Sequence, residues 1–230
     1  ELKSALWEIS QYDLRAVEEA VKLATESGGT AVALTVGGEI LSNSKMRKAI
    51  LSRGPAQLYG IQDETLENAD SNLTAKALKA AIEKIGDIDL VICGEGSSDQ
   101  YNQQVGNIIG GLLGWITVNA VSKIERADQK LILERSLEDG VEVIEVSTPA
   151  VLSVTADINI PRIPSMKDIL AAGKKPVSIY TKEDVLCSSE NVSIVKSVLA
   201  PKQNERLQHI IENADNEGIA KFAATIRHTL

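Results

Sequence analysis

The sequence predicts an α/β protein: a parallel sheet flanked by helices, with antiparallel β-hairpins added to it and an extended C-terminal arm. Three observations predict it. Amphipathic, helix-like segments alternate with short apolar runs through the first half of the chain, the pattern of parallel strands joined by right-handed crossovers. Close-spaced β-type runs, separated in places by turn residues, follow them. Aromatic residues make up only 3% of the 230 residues, so Val, Ile, Leu and Ala must fill the core, and that composition suits a sheet covered by helices.

The first helix is predicted from Tyr12 to Ala24, where Leu14, Val17, Val21 and Ala24 recur on one face and charged residues fill the other. Ser10 or Asp13 can cap it. Gly28-Gly29 breaks the helix ahead of "TAVALTV", a run typical of a buried strand. Asn43 or Ser44 caps a second helix that runs to Ser52; Arg53-Gly54-Pro55 ends it, and "AQLYGI" is the second strand. Asn72 to Ile85 forms a third helix with Leu73, Ala77, Ala80 and Ala81 on one side, and "IDLVIC" is the third strand. The chain opens on a helix, whereas a parallel domain is expected to have a strand before it. That strand is expected to be absent from the numbered residues.

A further helix, about Gln103 to Leu113, precedes "ITVNAVSKIERA", "KLILERSL", "VEVIEVST" and "PAVLSVTA". These read as hairpins on the edge of the parallel sheet, with turn signals at Asp128-Gln129 and Asp139-Gly140. "PRIPSMKDILAAGKKP" sets three prolines around a short helical piece, Ser165 to Ala172. Residues 177–203 show no clear period, and Glu205 to Leu230 reads as one or two helices. This tail is too poor in apolar residues for a core of its own, so it is expected to pack on a partner. The expected division is an α/β domain over residues 1–176, including a segment at 161–176 that stands apart, and an arm with helices over 177–230.

The formal charge of −8 disfavours nonspecific nucleic-acid binding, which needs a cationic surface. Cys93 and Cys187 offer neither metal-ligand spacing nor a disulfide framework, and point to a reducing, cytoplasmic compartment. No apolar run approaches the roughly 20 residues of a membrane span, so no membrane insertion is expected.

The stretch "GEGSSDQYNQQVG", Gly94 to Gly106, follows the carboxyl end of the third predicted strand and runs into a helix. In parallel α/β sheets ligands sit there. The loop has no Lys or Arg, but backbone N–H groups of Gly- and Ser-rich turns and a helix N-terminus can hold a phosphate without one. Asp99 can accept from a ribose hydroxyl or cap the helix, Gln103 and Gln104 supply amide donors and acceptors, and Gly106 permits close backbone approach. The spacing is not GxGxxG, and a helix-capping loop without a ligand is the alternative.

Catalysis finds less support. His209 and His228 lie in the tail, far in sequence from the loop, and Ser97 and Ser98 have neither a nearby His nor a G-x-S-x-G elbow. Cys93 reads as a small core residue. Glu134, Glu138, Asp139, Glu142 and Glu145 read as a solvated strand face.

Taken together, "ISQYDLRAVEEA", "ALTVGG", "RKAILSRGP", "DLVICGEGSSDQYNQQVG", "NAVSKIE", "LERSLEDGVEVIEVSTPAVLSVT" and "INIPRIPSMKDILAAGKKP" resemble, in order, the β subunit of electron-transfer flavoproteins, and most of all its bacterial FixA-like branch. The likeness covers about residues 8–176, with a weaker match at "APKQNER". Arg135, Glu138-Asp139-Gly140, Glu142, Pro149 and Val151-Leu152 match the family's β-subunit signature, from which Leu133 departs conservatively.

The resemblance implies a Rossmann-like nucleotide-binding domain in a heterodimer with a larger α subunit, which holds most of the redox-active FAD. The β subunit would bury AMP or, in electron-bifurcating relatives, a second FAD. The pocket would use Ser10, Gln11, Tyr12 and Asp13 at one helix start and Val36 at a strand end. Gly94, Glu95, Gly96, Ser97, Ser98, Asp99, Gln103, Gln104, Val105 and Gly106 would wrap the phosphate and ribose.

Family members begin with a strand and loop ahead of "ISQYD", consistent with the expected missing strand. The Pro-flanked segment resembles the loop that docks a partner dehydrogenase or reductase. Met166 stands at its apolar anchor with Ile169 and Leu170, and Gly173 shortens the family's lysine run to Lys174 and Lys175. The implied role is an electron carrier and not a stand-alone catalyst, with a FixC/FixX-type quinone oxidoreductase and ferredoxin as further partners. The competing reading from the residues is an adenine-nucleotide-binding regulatory module of the universal-stress-protein type.

Overall fold

The computed structural model describes residues 8–97, 100–185 and 215–229, which fall in two units, Glu1–Ile194 and Val195–Leu230. The first unit opens on α1 (Gln11–Ser27), whose apolar stripe buries Leu14, Ala16, Val21 and Leu23. Gly28 stops it in the left-handed conformation, φ 71°, and returns its N–H to Ala24 O. After β1 (Ala33–Gly37), Asn43 caps α2 (Ser44–Leu51) by accepting from the Lys45 N–H. β2 (Leu58–Gln62) precedes α3 (Ser71–Ile85), where Asp70 accepts from the Leu73 N–H. β3 (Leu90–Gly94) and α4 (Val105–Leu113) complete the alternating half. Each of these elements lies where periodicity placed it, to within a few residues, although Ser10 at the N-cap position of α1 makes no side-chain cap hydrogen bond.

β4 (Ile116–Ala127), β5 (Lys130–Leu137), β6 (Gly140–Ser147) and β7 (Ala150–Val154) follow. α5 (Met166–Ala172), β8 (Val177–Tyr180) and the single turn α6 (Lys182–Val185) end the described part of this unit. The strands form a parallel sheet in the order β1-β2-β8 and a mixed sheet in the order β3-β7-β4-β5-β6. β4, β5 and β6 form an antiparallel meander. β4 serves both kinds of ladder: Ile116–Val118 pairs parallel with β7, and Val121–Ala127 pairs antiparallel with β5. A register shift lies between the two segments, where Ala120 adopts φ 55°, and such an irregularity redirects a strand.

Two features depart from the expectation. "PAVLSVTA" is not an edge hairpin: β7 is a central strand, parallel to both β3 and β4, and all five of its residues are buried. Its continuous apolar run, lacking the polar alternation of a half-solvated hairpin, has its physical reason there. Val177–Tyr180, which shows no clear period in sequence, is a strand paired with β2. Four residues are too few for a pattern to emerge.

The largest core cluster joins Val121, Ile124, Leu133, Leu152 and Val154 beneath α1's Ala16 and Leu23. On the opposite face α3 and α4 cover the sheets with Ala75, Ile82 and Ile109 over Val151. In the second unit, α7 (Asn216–Thr229) starts where Asp215 accepts from the Gly218 N–H at 2.8 Å, and Ile219, Phe222 and Ile226 are exposed at helical spacing.

Candidate functional site

The N-terminus of α1 meets the carboxyl end of β3. Gly94 N–H donates to Asp13 Oδ1 at 3.3 Å. A Cβ on Gly94 would lie 2.6 Å from Tyr12 Cβ and 2.8 Å from the Tyr12 carbonyl carbon, so only glycine lets helix and strand end approach this closely. Asp13 as a residue reaches solvent, but protein crowds its carboxyl. Burial raises its pKa, and the Gly94 N–H opposes that rise.

The loop beyond Gly94 is pinned at both ends. Glu95 N–H donates to Val154 O at 3.0 Å, tying its start to the end of β7. Tyr101 OH donates to Glu95 Oε1 at 2.7 Å, and the Tyr101 ring lies 5.4 Å from that of Tyr12, tilted by 41°. The Glu95 contact pushes the phenol well above its usual pKa, with burial adding to it. Gln100 N–H donates to Ser97 Oγ at 3.3 Å, and Asn107 Nδ2 to Gln103 O at 3.0 Å. Tyr101 and Gln103 both adopt left-handed backbone, φ 49° and 55°. That conformation is uncommon for residues with a Cβ and concentrates at binding sites.

The loop then enters α4, with Gln104 at the N-cap position. Two helix N-termini therefore open at the carboxyl end of one strand. Their first-turn N–H groups lack intrahelical partners and carry partial positive charge, a setting for an anionic group that needs no Lys or Arg.

The predicted residues divide as follows. Tyr12 and Asp13 lie against Gly94, Tyr101 links Tyr12 to Glu95 and Gly96, and Gly106 at the start of α4 lies against Cys93 of β3. Ser10 and Gln11 open α1 beside Tyr12, Ser97 accepts within the loop, and Gln104 and Val105 begin α4. Ser98 and Asp99 lie outside the described residues, as do Cys187 and His209 and the side chain of His228. Val36 ends up near the carboxyl end of β1, half-buried and packed against the core cluster that Ile61, Leu66, Leu73, Ala77 and Ala81 form.

Gly106 serves the fold in a way its sequence position did not disclose. A Cβ there would fall 2.3 Å from Ser153 Oγ and 2.7 Å from Cys93 Sγ, so the close approach it permits is that of α4 to the sheet. Sequence reading missed Tyr101 and Arg15. Tyr101 is the sole aromatic residue between Gly94 and Gly106, which was the available signal. Arg15 donates to Gln11 O at 3.3 Å and to Ala156 O, joining the start of α1 to the segment after β7.

The other chemistry weighed from sequence falls away. Burial pushes the Cys93 thiol up to about 11, against a lowering contact from Ser153, so it is held protonated. Glu134 pairs with Lys123 at 2.9 Å, Glu142 with Arg135 at 3.1 Å, and Glu145 with Lys130. They are cross-strand ion pairs of an exposed hairpin face. Among the described residues no group of three or more His, Cys, Asp or Glu could hold a metal ion.

The Pro-flanked segment is anchored on α1. Arg162 donates to both carboxylate oxygens of Glu18, from Nε at 2.7 Å and Nη2 at 2.8 Å, and its backbone N–H adds a third bond at 3.0 Å. These contacts hold the Glu18 carboxyl below its ordinary pKa, the Arg162 side-chain hydrogen bond contributing most. Asn159 Nδ2 reaches Arg15 O and Glu19 Oε2. Ser165 and Asp168 form a capping box on α5.

Between these anchors Ile160 and Ile163 are 91% and 94% exposed, and Met166 and Leu170 are exposed beside them, with Ile169 less so. Lys174 is exposed. Lys175 departs from its predicted docking role. Its ammonium donates to Leu51 O at 2.8 Å and Pro55 O at 2.6 Å, so it satisfies carbonyls at the end of α2.

A model of the electron transfer flavoprotein domain matches residues 3–185, a span that includes both helix N-termini, the Gly94–Gly106 loop and the anchored segment. The chain belongs to that family. Electron transfer flavoproteins, as a family, carry electrons between redox partners and are not themselves catalysts. No helix among the described residues is long and apolar enough to cross a membrane.

Proposed function

We propose that the chain is the β subunit of a heterodimeric electron-transfer flavoprotein and holds an adenine nucleotide, AMP or FAD, at the carboxyl end of β3. The observation that carries this reading is the convergence of the α1 and α4 N-termini on one loop with left-handed Tyr101 and Gln103, within an electron transfer flavoprotein domain. The donor set fits such a ligand. First-turn N–H groups of α1 and the backbone at Gly96 and Ser97 suit phosphate oxygens. Gln103, Gln104 and Asp99 suit ribose hydroxyls or base edges. Flavin, when bound, supplies the redox chemistry; this chain's own residues bind and orient the nucleotide.

The partner is an α subunit that holds most of the FAD. The exposed stripe Ile219, Phe222 and Ile226 on α7 supports an arm that packs on it. Ile163, Met166, Leu170 and Lys174 form the dock for a flavin dehydrogenase or reductase, with Ile169 at its edge. A FixC/FixX-type quinone oxidoreductase and ferredoxin are the further partners in the FixA-like branch, and the cytoplasm is the compartment.

The test is to purify the chain with its α subunit, release bound nucleotide by denaturation, and identify it by mass spectrometry with flavin stoichiometry. One FAD per heterodimer plus AMP is expected of a simple carrier; two FAD identify a bifurcating one. A heterodimer that releases no adenine nucleotide beyond the α subunit's FAD overturns the pocket.

A further inference from the structure

Tyr101 holds its ring where the fold gains little from it. The residue is 43% exposed, so its burial contributes little to stability. Yet its backbone adopts φ 49°, the left-handed region that disfavours residues with a Cβ. Gly96 is kept to glycine on the same account. A Cβ there would lie 2.6 Å from Tyr101 Cδ2 and 3.0 Å from Cε2, and would push the ring away.

The ring is also fixed in orientation. Its hydroxyl donates to Glu95 Oε1 at 2.7 Å, and the Tyr12 ring packs against it, centroid to centroid at 5.4 Å. The Glu95 contact, with burial adding to it, raises the pKa of the phenol. The O–H therefore stays a donor, and the ring carries no charge that would repel an anion. An aromatic surface held in this way, and still open to solvent, stands beside the first turn of α1 and the carboxyl end of β3.

Charge divides the surroundings of that ring into two parts. The N-termini of α1 and α4 present N–H groups of partial positive charge, suited to a phosphate. Glu95 instead sets a carboxylate at the Tyr101 hydroxyl, and like charge disfavours a phosphate there. A nucleotide anchored by its phosphate at the helix starts turns its uncharged base towards Tyr101. Flat heteroaromatic rings stack on aromatic faces, and a ring that is already immobile loses little freedom in doing so.

We propose that Tyr101 is a specificity-determining residue of the nucleotide site: its ring, locked by Glu95 and Tyr12, is the platform on which the base stacks. The inference rests on the nucleotide reading and deepens it. Recognition is aromatic as well as anionic, so a sugar phosphate that lacks a base is a far poorer ligand. Gly96 and the left-handed turn at Tyr101 are the supports of that platform. A mere clasp of the loop would need the Tyr101 hydroxyl on Glu95 and would be indifferent to the base; a platform needs the ring.

Calorimetric titration of the heterodimer, freed of bound nucleotide, with AMP and with ribose 5-phosphate tests it. Tyr101→Leu is expected to weaken AMP by about 10- to 100-fold and to leave ribose 5-phosphate within about twofold. Tyr101→Phe keeps the ring and is expected to hold AMP within about fivefold. Equal weakening of both ligands by Tyr101→Leu, or AMP unaffected by it, overturns the platform. A wild-type heterodimer that binds ribose 5-phosphate as well as AMP also overturns it and leaves the phosphate site standing; one that binds neither overturns the nucleotide reading too. Should the Leu variant not fold, Tyr101→Trp reads the same contact. Quenching of the added indole fluorescence by AMP alone supports the platform, and quenching by both ligands or by neither overturns it.

Discussion

β7 and β3 are neighbours with the same length and nearly the same apolar character, yet they are buried to different depths. In β7, Ala150, Val151, Leu152 and Val154 have no exposed surface. β3, "LVICG", is half-buried along its whole length. The difference lies in their company: among the described strands β7 is hydrogen-bonded to a neighbour on each side, and β3 only to β7. An apolar run therefore states that a strand wants to be buried, while the number of neighbours decides how far it is.

The strongest way to break this comparison is to truncate one side chain in each strand. Leu152→Ala removes a fully buried side chain and is expected to cost about 3 kcal/mol, read from urea denaturation. Ile92→Ala in the same 230-residue chain is expected to cost about 1 kcal/mol, because its surroundings already admit solvent. Equal costs in the 230-residue chain would show that β3 is as well packed as β7.

A smaller effect is expected where the two strands share a helix. Gly106 of α4 lies against Cys93 of β3 and Ser153 of β7, and its new Cβ in Gly106→Ala would enter both. About 2 kcal/mol of destabilisation is expected. If Gly106 instead faces only ligand space, stability is unchanged and only nucleotide content falls.

The mildest probe leaves stability alone. The Cys93 thiol is raised from 9.0 to about 11, which lowers its thiolate fraction near neutral pH by roughly 100-fold. Iodoacetamide at pH 8, followed by peptide mapping to separate Cys93 from Cys187, should leave Cys93 of the folded protein unlabelled and label it after unfolding. Fast labelling in the folded state would mean that β3 opens to solvent at its carboxyl end.

Much of the candidate site was legible because its parts are local. The helix start at Ser10–Asp13, the break after "IDLVIC" and the amide-rich loop each announce themselves within about ten residues. Tyr101 and Arg15 did not, since each acts through a contact whose partner nothing in the local pattern singles out. Arg15 reaches Ala156, far along the chain. Lys175 looked like part of a basic docking edge, but the carbonyls it satisfies belong to Leu51 and Pro55. A lysine's destination is set by which unpaired acceptors lie within reach, and that is a property of the folded neighbourhood.

By itself the sequence determined the helices α1 to α4, the strands β1 to β3, their alternation and the resemblance to a family. These rest on short-range causes: caps, glycine stops and the two hydrophobic periods. Only the tertiary structure decided that β7 enters between β3 and β4 and that Val177–Tyr180 joins β2. Strand pairing is a long-range choice made by backbone groups, which every residue carries alike. No local pattern of side chains records it.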